Sequence, residues 1–148
     1  MQRPFFHFLH IGYSRNPFGA LTDEEWAAIA VLPPAIERIL GDGFAHLQLL
    51  GPMGIGKSTT LLALQAWFAE KAATKRVVYE YLPEGQRHFV TDTRALDLFL
   101  LDEAQRLTWW QRRKLLQAAS RAQLVFSSHE DLTPLFAKKG VALTSVDL

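Results

Sequence analysis

A glycine-rich octet, a pair of adjacent acids and one polar strand end carry the chemistry of this chain. Gly51-Pro52-Met53-Gly54-Ile55-Gly56-Lys57-Ser58 fits G-x-x-x-x-G-K-[ST] at every fixed position, the pattern of a loop that wraps the phosphates of a nucleotide. Glycine reaches backbone angles closed to other residues, so successive N–H groups can turn inward on one anion site. In that setting Lys57 reaches the β- and γ-phosphates, the Ser58 hydroxyl holds Mg²⁺, and Thr59 continues the cradle. The acids are Asp102 and Glu103, closing the apolar run Leu98-Phe99-Leu100-Leu101. Desolvated charge is costly, so a buried strand that ends in two carboxylates implies a cation or a reacting water beside it. Asp102 is expected to bind the Mg²⁺ shell through water, opposite Ser58. Glu103 is expected to polarise the water that attacks the γ-phosphate, a general-base role. The plainer alternative makes both acids caps of the Ala104-Gln105-Arg106 turn. The polar strand end is Ser127-Ser128-His129-Glu130-Asp131. His129 is the first candidate to sense the γ-phosphate, with Ser127 or Ser128 as the alternative, because the inward side chain depends on where pleating stops. Ser128 or Asp131 can also cap the helix that follows.

Such a site needs a strand before the loop and a helix after it. Phe44 to Leu50 is a short apolar run suited to a buried parallel strand. Thr59 to Lys71 carries Leu61, Leu64, Trp67 and Phe68 at helical spacing, and that helix aims its positive end at the phosphates. Further strands are predicted at Val77–Leu82, Leu96–Leu101, Leu124–Phe126 and Val141–Leu148, with helices at Thr108–Ala122 and Leu132–Lys138. Gln86 to Val90, after the Pro83-Glu84-Gly85 turn, reads as a returning strand and suggests a hairpin at one sheet edge. Strands alternating with helices predict an α/β fold, a three-layer αβα sandwich with a mostly parallel sheet of about five core strands. The carboxyl ends of the strands then share one edge, where open α/β sheets bind ligands.

Ahead of this core, residues 1–20 form an aromatic-rich strap with a turn at Asn16-Pro17. Thr22 and Glu25 make a capping box for a helix through Trp26 to Val31. Pro33-Pro34 break that helix and open another that runs to Leu40, and Gly41-Asp42-Gly43 stops it. The expected organisation is one domain over residues 1–148, with strap and helices at 1–40 and the nucleotide-binding core at 44–148.

Composition excludes several classes. With 148 residues, 49% hydrophobic and 21% charged, the chain has globular proportions and can bury a real core. Its apolar runs fall far short of the ~20 residues of a membrane span, and its start lacks a secretory apolar region. The absence of cysteine excludes disulfides and cysteine metal sites, and a cytoplasmic location is the default expectation. A net charge of +1 neither suggests nor excludes nucleic acid. His7, His10, His46 and His88 show no metal-ligand spacing.

The octet, the Leu-Leu-Asp-Glu strand and the polar strand after it resemble the P-loop ATPases that keep a catalytic glutamate beside the Mg²⁺ aspartate, the AAA+ and ABC families and their relatives. The resemblance covers roughly Phe44 to Leu148. Asn16-Pro17-Phe18-Gly19, in the place of the segment near the adenine, and the helix at Ala35–Leu40 look AAA+-like, whereas Ser127-Ser128-His129 resembles the ABC switch-histidine strand end. The Leu-Ser-Gly-Gly-Gln signature of ABC subunits is missing, and no lid domain with a second sensor arginine is expected after Leu148. The guanine-reading Asn-Lys-x-Asp is also missing, which favours ATP. The resemblance implies a compact Mg²⁺-dependent ATPase, slow alone and coupled to a partner or an assembly. The rival is an ATP-dependent switch or adaptor with negligible hydrolysis of its own.

Partners are addressed by two basic regions. Trp109-Trp110 with Arg112-Arg113-Lys114, flanked by Arg106 and Arg121, suits nucleic acid or a protein surface. A solvated basic face with one snorkelling tryptophan is the preferred reading, since two adjacent tryptophans of a helix cannot both face the core. No cis arginine is evident at the phosphates. A neighbour in a homo-oligomer is therefore expected to supply Arg121, Lys138 or Lys139, with Phe5, Phe6, Trp109 and Trp110 as exposed aromatics.

Overall fold

A computed structural model describes residues 31–148. The aromatic strap, the capping box at Thr22 and the helix expected from Trp26 lie outside the described residues. The first described helix, α1, covers Pro34–Asp42 with Pro34 in its first turn, where a missing N–H costs nothing. It ends at Gly43, whose φ of 83° few other residues would accept.

Five parallel strands follow: β1 (Leu47–Leu50), β2 (Val77–Tyr81), β3 (Leu98–Asp102), β4 (Gln123–Ser128) and β5 (Thr144–Asp147). They lie in the order β2-β3-β4-β1-β5. The polar-ended strand β4 is therefore inserted between the loop-bearing β1 and the acid-bearing β3, as the sensor reading requires. Register places Leu50 opposite Ser128, and Leu101 opposite Phe126. Helix α2 (Lys57–Lys71) follows β1, α3 (Trp109–Ala118) follows β3, and α4 (Thr133–Ala137) follows β4.

Strand pleating divides the core in two. Leu47, Leu49, Leu98, Leu100 and Val125 face Leu61, Leu64 and Phe68 of α2 and Ile36 of α1. Phe99, Leu101, Leu124 and Phe126 face Leu115 and Leu116 of α3 and Phe136 of α4, with the Phe126 and Phe136 rings stacked at 5.5 Å. Each of these fully buried side chains contributes about 1.5–3 kcal/mol of transfer free energy. The expected layers and sheet are found.

The expected hairpin is not. Residues 86–90 form no strand, and every strand pair in the sheet is parallel. The Glu80 carboxylate takes the N–H groups of Val90 and Thr91, at 2.9 Å each, so this segment is held by a side chain rather than by a ladder. Helix α3 is also shorter than predicted. After Ala118 the Ser120 and Arg121 N–H groups bond three residues back, tightening the chain into β4. Trp109 and Trp110 are both exposed, at 54% and 72%, with their rings edge-to-face at 4.5 Å. The reading with a single snorkelling tryptophan is thereby corrected, and the exposure expected of both rings is found.

Candidate active site

The octet leaves β1 and enters α2 with glycine where glycine is required. Gly56 sits at φ 96° as the N-cap of α2, and Gly54 at φ 84°. A Cβ on Gly51 would meet the Ile55 side chain at 2.8 Å, so the loop closes on itself at that point. Lys57 is 4% exposed, and its ammonium donates to the carbonyls of Gly51 at 2.6 Å and Pro52 at 2.7 Å. Burial pushes its pKa down, opposed by the charges of Glu103 and Asp102. Thr60 fastens the first turn through a 2.8 Å bond to the Gly56 carbonyl.

Asp102 and Glu103 end β3 on the edge that the loop occupies. Asp102 is fully buried. It points to the α2 side of the sheet, accepting the Ser127 hydroxyl at one oxygen and the Tyr79 hydroxyl at the other, the latter at 3.0 Å. Ser127 in turn accepts the Glu103 N–H at 2.9 Å. One hydroxyl thus fastens both acids to β4. Glu103 has φ 68° and ψ 42°, a left-handed conformation rare for a residue with a long side chain. Its carboxylate accepts the Gln105 amide at 2.6 Å and lies 3.6 Å from Arg106 and 3.7 Å from the His129 imidazole.

The two serines of β4 therefore part company. Ser127 lies on the side of the acids, whereas Ser128 uses its hydroxyl on the carbonyl and N–H of Glu130, at 2.6 and 3.0 Å. His129, the first candidate, reaches Glu103, and its own N–H donates to the Gln105 side chain at 3.2 Å. Asp131 bonds to Thr133 and to Gln48 on the far side of the sheet.

A cavity of ≈ 350 Å³ lies at this edge, lined by Met53, Gly54, Gly56, Lys57, Ser58 and Thr59 of the loop and by Glu103. Tyr81 and Arg106 complete the lining. The sequence placed Arg106 in the turn after the acids and as a flank of the basic helix, without a role at the phosphates; its signal was an arginine three residues after the acid Glu103. Of the two residues expected at Mg²⁺, Ser58 brings a hard hydroxyl oxygen to the cavity, whereas Asp102 does not line it and is fully buried with hydroxyls on both oxygens. Among the described residues no group of three or more His, Asp or Glu could hold a metal ion. His46 is a packing residue: its Nδ1 accepts the Leu124 N–H at 3.0 Å, and burial holds its pKa below the usual value. Among the described residues no helix is long and apolar enough to cross a membrane.

No family model matches the chain, and no curated protein matches it in sequence. Its structure is similar to domain III of the replication initiation protein DnaA from Thermotoga maritima, with a TM-score of 0.58 and 18% identity over 83% of this chain. The chain covers 65% of that domain. Protein NMB1076 from Neisseria meningitidis aligns over 88% of this chain and 84% of its own, with a TM-score of 0.50 and 16% identity. The fold is P-loop NTPase-like. The likeness is one of fold, and in this chain the polar-ended strand lies between the loop strand and the acid strand of a five-stranded parallel sheet. At these identities it speaks of fold, and the chemistry rests on the residues.

Proposed function

We propose that this protein binds ATP with Mg²⁺ and hydrolyses it, slowly alone and faster when docked on a partner or assembled with further copies. One observation carries the reading: the glycine loop with Lys57 and Ser58, and the acid Glu103, line one cavity of ≈ 350 Å³ at the carboxyl edge of a parallel sheet. Lys57 leaves its loop carbonyls for the β- and γ-phosphate oxygens, gaining a charged partner in a water-poor site. Ser58, and Asp102 through water, would hold Mg²⁺, which would supply charge neutralisation on the phosphate oxygens. Glu103 accepts a proton from the attacking water, and its position is set by Ser127 at the backbone and Gln105 at the carboxylate. His129, 3.7 Å from that carboxylate, is placed to relay the state of the γ-phosphate to β4. Adenine is preferred on the missing guanine motif alone.

The hold on Glu103 favours a second reading. A carboxylate already bonded to Gln105 and flanked by Arg106 and His129 has its oxygens engaged by the protein, as in an ATP-dependent switch that hydrolyses little and signals through its surface. Turnover against protein concentration, with and without DNA, separates the two. A rate that rises with either supports the assembled ATPase. A flat, near-zero rate with tight ATP binding supports the switch, and no binding of ATP or ADP rejects both.

A further inference from the structure

The cavity beside the loop contains a cation that the motifs pass over. The left-handed Glu103 and the tight turn after it fold the chain back, so that the Arg106 N–H donates to the Glu103 carbonyl at 3.0 Å. The Arg106 guanidinium then lines the cavity with Lys57 and Ser58. Its Nη1 is anchored on β2, donating to the Leu82 carbonyl at 2.6 Å and the Tyr81 hydroxyl at 3.3 Å. Its Nη2 is 3.6 Å from Glu103, an ion pair too long for a hydrogen bond. The side chain is therefore fixed at one nitrogen and loosely held at the other.

Among the described residues Lys57 is the other cationic side chain on this cavity. A guanidinium fork matches two oxygens of a terminal phosphate, which a lysine cannot do. Resting on the nucleotide reading above, we propose that Arg106 contacts the γ-phosphate of the nucleotide bound to its own chain. In doing so it exchanges its ion pair with Glu103 for the phosphate. Nucleotide arrival then both completes the charge clamp and frees the carboxylate to act on water.

Calorimetry with ADP and with a non-hydrolysable ATP analogue tests this on the parent, Arg106→Gln, Arg106→Lys and Lys57→Ala. Arg106→Gln keeps a donor for the Leu82 carbonyl, and it is expected to bind the analogue ~10-fold more weakly while binding ADP like the parent. Arg106→Lys keeps the charge without the fork and should lose about threefold, again on the analogue alone; it serves if the glutamine variant fails to fold. Turnover of Arg106→Gln mixed with Lys57→Ala should stay low, because the arginine acts within its own chain. Unchanged analogue affinity, equal losses for ADP and analogue, or turnover restored by mixing each overturns the assignment while parent binding stands. A parent that binds neither nucleotide overturns the nucleotide reading itself, and the assignment with it.

Discussion

Ser127 and Ser128 are neighbours on β4 with opposite tasks, and the two faces of the sheet differ in the same way. On the α2 side, the carboxyl edge ends in Asp102 and Ser127, polar groups bonded to one another. On the α3 and α4 side the same strands end in Leu101 and Phe126, then Ser128, whose hydroxyl closes a local turn. Buried Gln48 of β1 adds a net to that second face, taking the Leu132 N–H at 2.8 Å and donating to Asp131 at 2.9 Å. A single residue step along a strand thus separates chemistry from support. The first face holds charge that packing alone would not choose; the second holds the loops that keep the first in register.

The comparison can be broken at several points. The largest effect is expected for Lys57→Ala, which removes one cation facing the phosphates and should weaken ATP binding ~10²-fold or more in calorimetry. Glu103→Gln keeps the shape and should leave ATP affinity near the parent's, with steady-state hydrolysis reduced ~10²-fold; parental hydrolysis would place the base elsewhere, since the Glu103 side chain makes no capping bond to the turn after it. The serine pair sharpens the contrast. Ser127→Ala strips partners from Asp102 and from the Glu103 N–H, so a loss of ~1–3 kcal/mol in urea unfolding is expected together with slower turnover. Ser128→Ala should lose ~1 kcal/mol or less and leave turnover unchanged. Equal turnover in the two variants would erase the distinction between the faces. The smallest effect concerns His46, which lies with Gln48 on the supporting face. Its folded pKa is lowered, so below the unfolded value of 6.5 the unfolded chain binds the extra proton and stability falls with pH. His46→Gln should flatten unfolding free energy between pH 7.5 and 5.5 relative to the parent.

The loop, the acid strand and the order of layers were legible because each is local: apolar runs of strand length, helical spacing, and a glycine pattern whose backbone angles only glycine accepts. Which serine faces the acids was not, because Val125 and Phe126 are both apolar and leave the pleat's parity unmarked. The false strand at residues 86–90 had fitting composition, yet Glu80, ten residues before Val90, takes its N–H groups. The position of Arg106 on the cavity was not legible for a related reason. Its place depends on a left-handed turn at Glu103, and nothing in the propensity of glutamate announces one.

That turn has a consequence for anyone redesigning the chain. A φ of 68° suits glycine or asparagine, and a long side chain there costs about 1 kcal/mol or more of folding free energy. A procedure that scores sequences by melting temperature alone would therefore exchange Glu103 early and record an improvement. That exchange would remove the carboxylate proposed as general base, at the one non-glycine position of left-handed φ among the described residues.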